Sequence, residues 1–453
     1  MLHQGLESAN DLMQSLLSPL QWWPQYVQHV PLHFKRRWLS EKLRCRVEQP
    51  KPVLLEVQRE NLLDCLCSGL DQCTDTLRWG IDVSFTDGEE DWDKEDRDWN
   101  KGQRTWEKDG QEDEDMDKDH DTDKEDLDED EDDDHDYRQK DQADQSCTEK
   151  DRKEFFRLAA EEFMEPELGL FVSKDGGRSY HVSPGEGDAK QLKQLQLCGK
   201  LIGLALLHGE PVTAMKLSRP LRRLLLGSPI RPLEDMAAVD PEFYQNQVGK
   251  ILDYKEGEPL GDLGLTFVDE AAGKAELCLG GAERQVTEEN KMQYLDLLCH
   301  YRLVDSIRPQ VDALLSGVQA LLPSQVQAEL QRVLTATELG LCLWGESAID
   351  LKSWKEKSKA TPEMAPGMIE EFWKAVEGMT NEQQHALLEY TTGGFTAEGA
   401  IEGLTLAPTE GLVPETVPGY NTLKLPKYGT LAEMRSALLR AATYGNEGAQ
   451  SWE

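Results

Sequence analysis

Apolar residues, basic residues and long hydrophobic runs are all scarce in this chain of 453 residues. Hydrophobic residues make up 38% of it, and 49 Lys and Arg stand against 86 Asp and Glu, for a formal net charge of -37. The longest apolar run, around LIGLALL, falls far short of the roughly 20 residues that a membrane-spanning helix needs, so no membrane partner is read. A chain this acidic repels a phosphate backbone, and its charge offers no nucleic-acid reading. Residues 1 to 20 lack a basic start joined to an apolar stretch, so no secretory leader is expected there. The nine cysteines are odd in number and scattered, which favours reduced thiols and an intracellular setting, cytoplasmic or nuclear. Motifs of catalysis are missing too: the chain has no phosphate-binding loop, no paired metal-binding histidines and no nucleophile elbow. Neither a cofactor nor a metal is called for.

What is present is unevenly placed. Residues 81 to 150 hold 32 acidic and 10 basic side chains, so this stretch carries -22 of the total charge. Within it DWDKEDR, DWNKGQR and TWEKDGQ repeat every seven residues, with Trp92, Trp99 and Trp106 in step. One apolar residue per heptad is half of what a coiled-coil seam requires. DKDHDTDKEDLD invites a calcium-loop reading through Asp117, Asp119 and Asp121. Thr122 stands where such a loop needs glycine and Asp128 where it needs a bidentate glutamate, which argues against it. Residues 87–146 are therefore expected to be an acidic disordered insertion, too polar to offset the entropy of ordering.

On either side the patterns are those of folded chain. PVLLEVQ is expected to be a strand and RENLLDCLCSGL an amphipathic helix. Cys65, Cys67 and Cys73 fall there at spacings that match no zinc pattern. DRKEFFRLAAEEF keeps Phe155, Ala159 and Phe163 at helical spacing until Pro166. GLFVSKDGGRSYHVSP is a hairpin pattern, residues 190 to 208 form a core helix stopped by Gly209, and His208 at its end is read as structural. Helices are expected near Leu221–Leu226, Glu242–Tyr254, Glu288–Leu303 and Gln310–Leu322, with short strands in LGLTFVD and KAELCL. After Trp344-Gly345 comes a smaller α/β pattern. Its last helix opens on a capping box at Thr430 and Glu433 and aligns Leu431, Met434 and Leu438 on one face.

The order of segments says more than any one of them. DRKEFFRLAAEEFMEPELGLF, LCGKLIGLALLHGEPVTAMKLSRPLRRLLL, VTEENKMQYLDLLCHYRLVDSI, ELGLCLWGESAIDLKSW, FWKAVEGMTNEQQHALLEYTTGGF and VPGYNTLKLPKYGTLAEMRSALL resemble, in sequence and spacing, the HECT domain of ubiquitin-protein ligases. The resemblance runs from about Phe34 to the end, interrupted by the acidic stretch. It implies an α+β bilobal fold, with a large, mostly helical N-terminal lobe and a small, mobile α/β C-terminal lobe. The expected division is an N-terminal extension at 1–33, the N-terminal lobe at 34–86 and 147–354, the insertion at 87–146, and the C-terminal lobe at 355–453. The implied partners are a ubiquitin-conjugating enzyme, ubiquitin and an unknown protein substrate.

The family passes ubiquitin through a cysteine thioester, in a loop that typically reads His-Thr-Cys-Phe-Asn before Leu-x-Leu-Pro-x-Tyr. The matching residues here are Val417-Pro418-Gly419-Tyr420-Asn421, with Leu423, Leu425, Pro426 and Tyr428 in place. Gly419 therefore occupies the position of the nucleophile, and no cysteine follows Cys342. Tyr420, Thr416 and Thr422 have no nearby histidine to activate them. The family also commonly carries a Phe a few residues from its end; only Trp452 could imitate it. The resemblance further implies a docking groove for the conjugating enzyme in FYQNQVGKILDYKEGEPLGDLGLTF. Val248, Ile251, Leu252 and Tyr254 stand at roughly helical spacing there, and Leu263, Leu265 and Phe267 alternate as in a strand; core packing is the competing reading of the same positions. Two functions stay open: a scaffold without thioester chemistry, and an active transferase that bypasses the thioester or uses another thiol.

Overall fold

The computed structural model describes residues 30–44, 52–72, 74–77, 80–86, 149–185, 187–254, 264–322, 324–345, 348–393, 403–417 and 419–447. Residues 1–29 of the expected extension, the insertion 87–146, Cys73, Leu263 and Trp452 lie outside the described residues.

Two long helices, Ala189–His208 and Arg308–Leu321, form the axis of the first core. Their backbones touch because both carry glycine at the crossing. A Cβ on Gly199 would lie 2.1 Å from the Leu314 carbonyl oxygen, and one on Gly317 2.0 Å from that of Gln196. Asp188 caps the first helix by accepting from the Gln191 N–H, and Gly209 closes it in the left-handed conformation. The helix over 149–163 buries Phe155, Ala159 and Phe163 as its spacing requires, with Phe155 and Phe156 edge-on at 5.4 Å. Val53–Val57 pairs in parallel with Ile81–Phe85. His208 has a partner after all: its Nε2 accepts from the Ile81 N–H at 2.9 Å, tying the helix end to this strand pair. Val30 and Leu32, assigned to the extension by sequence, are buried in the same core.

The second core is small and lies between residues 230 and 304, with Met236, Val248, Phe267, Tyr294 and Leu295 at its centre. Pro232–Val239 and Lys291–Leu303 are α-helical. The helix expected over 242–254 is α-helical at Pro241–Phe243 and Lys250–Leu252, but π-helical between, at Tyr244–Gly249. The strand expected over LGLTFVD shrinks to Val268–Asp269, paired with Ala275–Glu276. Ahead of it Thr266 makes an isolated antiparallel bridge to Gln285, through the Phe267 N–H to the Arg284 carbonyl (3.1 Å) and the Val286 N–H to the Leu265 carbonyl (2.9 Å), and the Phe267 N–H is shared with the Gly281 carbonyl (3.0 Å).

The third core follows Gly345. Its sheet has the order Lys359–Ala360, Thr405–Pro408, Thr422–Leu425, Glu415–Val417, parallel except for the last pair. Leu404, Leu406, Leu423 and Leu425 point alternately inward, onto Phe372, Val376, Leu388, Met434 and Leu438 from the flanking helices. Trp354 is wholly buried here, edge-on to Trp373 at 5.6 Å, and Ile349 and Leu351 pack on the same core. Trp344 belongs to the first core, so the change of core falls between 344 and 349 and not at 354. Thr430 and Glu433 form the expected capping box on Leu431–Glu447. Leu431, the first residue of that helix, is 43% exposed, whereas Met434 and Leu438 on the same face are fully buried.

Candidate functional site

Glu415–Val417 is the edge strand of a hairpin. Its register with Thr422–Leu425 is Val417 to Thr422, Thr416 to Leu423 and Glu415 to Lys424, and the described residues 419 to 421 lie in the turn. A turn this short demands unusual dihedral angles: Gly419 has φ 76° and Asn421 φ 48°. Both lie in the left-handed region, open to glycine and tolerated by asparagine. The Tyr420 N–H donates to the Val417 carbonyl at 3.2 Å, and the Thr422 hydroxyl to the Tyr420 carbonyl at 3.1 Å.

On one side the turn meets another core, while Tyr420 stays 51% exposed. Gln245 Nε2 donates to the Gly419 carbonyl at 2.6 Å, and a Cβ on Gly419 would lie 3.2 Å from Tyr244 Cδ1. Both partners come from the π-helical turn of the second core. A cleft of about 320 Å³ opens beside the contact, bordered by Arg231, Glu234, Tyr390, Thr416, Gly419 and Gly445. None of the described residues lining it is Cys or His. Tyr390 donates its hydroxyl to the Pro414 carbonyl at 3.0 Å, and burial pushes its pKa up to about 12. Burial likewise pushes Tyr244 up to about 12. Both phenols are neutral at pH 7. The thiols lie elsewhere. Burial raises Cys198 and takes Cys299 up to about 12, the opposite of what a nucleophile needs. Cys65, Cys67, Cys278 and Cys342 are partly exposed, and all precede the third core.

Behind the cleft the cores are joined by buried charge. Glu389 accepts from the Arg222 guanidinium and the Thr337 hydroxyl, with Glu389 and Arg222 at 0% and 1% exposure. Arg222 also donates to the carbonyls of Ala336 (2.6 Å) and Leu217 (3.1 Å). Asp235 takes Arg219 at 2.7 Å and Arg223 at 2.9 Å. Burial alone would raise the Asp235 carboxyl, but the two guanidiniums outweigh it and hold the pKa below the usual range. Arg231 donates from its backbone N–H to Asp235 (2.8 Å) and from its guanidinium to the Gly445 carbonyl.

The groove residues divide. Val248, Ile251 and Phe267 are buried in the second core, where Phe267 meets Tyr294 edge-on at 5.5 Å, so they are packing residues and not a displayed surface. Leu252, Tyr254 and Leu265 are partly exposed at the margin of that core.

The HECT-domain (ubiquitin-transferase) family model matches residues 157–450. The chain belongs to the HECT family. The E3 ubiquitin-protein ligase HACE1 of Danio rerio is 29% identical over 319 residues, which cover 65% of this chain and 34% of that protein. HACE1 of Gallus gallus is 30% identical over 319 residues, covering 65% and 33%. The E3 ubiquitin-protein ligase Nedd-4 of Drosophila melanogaster is 30% identical over 318 residues, covering 65% and 30%. The chain thus spans about a third of the length of these curated relatives. The HECT match extends over the second and third cores, the Gly419 turn and most of the first core. Among the described helices none is long and apolar enough to cross a membrane.

Four residues at this site escaped the sequence reading: Tyr244, Gln245, Arg222 and Glu389. Nothing local marks them. RPLRRLLL and LLEYTT read as ordinary amphipathic helix, and the burial of Arg222 and Glu389 appears only when the two helices meet.

Proposed function

We propose that this HECT chain is a ubiquitin-ligase relative without thioester chemistry of its own, acting as a scaffold for a ubiquitin-conjugating enzyme. The observation that carries this reading is the conformation of Gly419. Its φ of 76° and the Tyr244 ring against its α-carbon make the turn a place adapted to glycine. By the family resemblance this is where the thioester cysteine stands. Passing ubiquitin through a thioester at this position requires a thiolate there, since hydroxyls without a base do not attack at neutral pH. The lobes of the proposed domain are the first two cores together and the third core, with the acidic stretch at 87–146 as an insertion in the larger lobe. The partners under this reading are a conjugating enzyme, ubiquitin and an intracellular protein substrate. Leu252, Tyr254 and Leu265 supply the displayed part of the docking surface.

The test is incubation of the full chain with activating enzyme, conjugating enzyme and ubiquitin, followed by a non-reducing gel. The unmodified chain is expected to give no reductant-sensitive ubiquitin adduct. Gly419→Cys alone should give at most a trace, because an L-residue at this φ is strained and a misplaced nucleophile reacts poorly. A strong adduct from the unmodified chain, lost when one of its nine cysteines is replaced by serine, would overturn the reading in favour of a working transferase.

A further inference from the structure

The turn at 419 has lost a nucleophile, but its surroundings hold more contacts than an idle loop needs. Gly419 gives its carbonyl to Gln245 at 2.6 Å and brings its α-carbon against the Tyr244 ring. Tyr420 reaches the same π-helical turn, since a Cβ on Gly249 would lie 3.9 Å from the Tyr420 hydroxyl oxygen. Arg231, from the second core, donates to the Gly445 carbonyl in the last helix of the third. π-Turns inside α-helices cost backbone regularity and tend to persist where a contact depends on them. Here the π-helical segment Tyr244–Gly249 contributes Tyr244, Gln245 and Gly249 to one interface.

We propose that the 419–421 turn is a latch: its glycine lets the third core close onto the π-helical turn of the second, and the contact holds the chain in one closed arrangement. The buried Arg222–Glu389 pair sits at the other end of the same interface, beside the helix Ala336–Trp344 that leads into the connection between the cores. It acts as the pivot, and the Gly419 contact is the catch that opens or closes about it. Glycine is favoured twice. Only a residue comfortable at φ 76° fits the turn. A Cβ would stand 3.2 Å from Tyr244, closer than such contacts usually come, so any side chain there obliges the ring to shift by a few tenths of an ångström. The latch stands on the contact itself. A chain that formed a ubiquitin adduct through some other thiol would leave it intact.

Single-molecule energy transfer in the full chain reads the arrangement directly. Amber suppression places the two dyes at Lys153 and Lys374, exposed on the first and third cores at 58% and 56%. The unmodified chain should show one dominant high-transfer population. Gln245→Ala removes a single neutral hydrogen bond at an exposed side chain and should raise the open fraction about two- to tenfold. Gly419→Ala, which adds both strain and a methyl group, should raise it about tenfold or more. Gly419→Asn separates the two effects, because asparagine tolerates the left-handed region while still carrying a Cβ. It should open the chain several-fold, and a wild-type histogram for Gly419→Asn and Gln245→Ala together would overturn the latch. An unmodified chain already divided evenly between two populations would overturn it as well.

Discussion

Removing the Glu389 carboxylate should be among the most destabilising single changes in the interface between the cores. Arg222 is 1% exposed and Glu389 0%, so Glu389→Ala strands a guanidinium where water cannot reach it. Breaking a buried ion pair from one side costs about 3–5 kcal/mol. Arg222 keeps two carbonyl acceptors, Ala336 and Leu217, and lies 5.1 Å from the Trp344 ring centroid, which places the expected loss near the lower end, about 3 kcal/mol. Glu389→Gln keeps the shape and loses the charge, and should cost about 1–2 kcal/mol. Arg222→Met with Glu389→Leu removes both charges and should lie within about 1 kcal/mol of wild type. Urea melts followed by tryptophan fluorescence and far-ultraviolet circular dichroism measure all three. Acidity gives an independent check. Burial pushes the Glu389 carboxyl up, but Arg222 outweighs it, so the folded pKa lies below 4.5. A carboxyl depressed in the folded state adds stability above its unfolded pKa and loses it as pH falls through the folded one. The wild-type midpoint should therefore fall more steeply below about pH 4.5 than that of Glu389→Gln. A Glu389→Ala midpoint equal to wild type, or equal acid slopes for wild type and Glu389→Gln, would refute the argument.

Two further expectations concern packing. Gly317→Ala places a methyl group 2.0 Å from the Gln196 carbonyl oxygen, and the helices must part to admit it. It should cost at least ~1–3 kcal/mol, read as a lower thermal midpoint, and an unchanged midpoint would show that the helices do not cross this closely. Phe267→Asp should unfold the second core, whereas Leu252→Asp should leave circular dichroism unchanged and weaken binding to a ubiquitin-conjugating enzyme more than tenfold, about 2 kcal/mol for a central apolar anchor. Full affinity in folded Leu252→Asp would remove the docking surface from the proposed scaffold.

Much of this architecture is legible along the chain because its causes are local. Phe155, Ala159 and Phe163 announce a buried helical face by spacing alone, and Thr430 with Glu433 announces the start of the last helix. The succession of segments identifies the HECT family, and the absence of cysteine after Cys342 is a fact of the sequence. Other readings failed where a local pattern admits two outcomes. The family resemblance implied a groove through Val248 and Ile251, with core packing as the competing reading, because apolar periodicity marks a face without saying whether core or partner covers it. Alternation made LGLTFVD one strand, but its pairing is divided between an isolated Thr266–Gln285 bridge and the short Val268–Asp269 ladder, on two different partner segments. Only the tertiary structure could decide that Arg222 is buried, because its carboxylate partner lies 167 residues away. The same holds for Gly419. Sequence shows that the residue carries no thiol, and the fold adds that Gln245 and Tyr244, 174 and 175 residues upstream, approach its backbone closely. Side-chain chemistry is written in the residue itself, whereas burial and close approach belong to pairs of distant segments and exist only once the chain has brought them together.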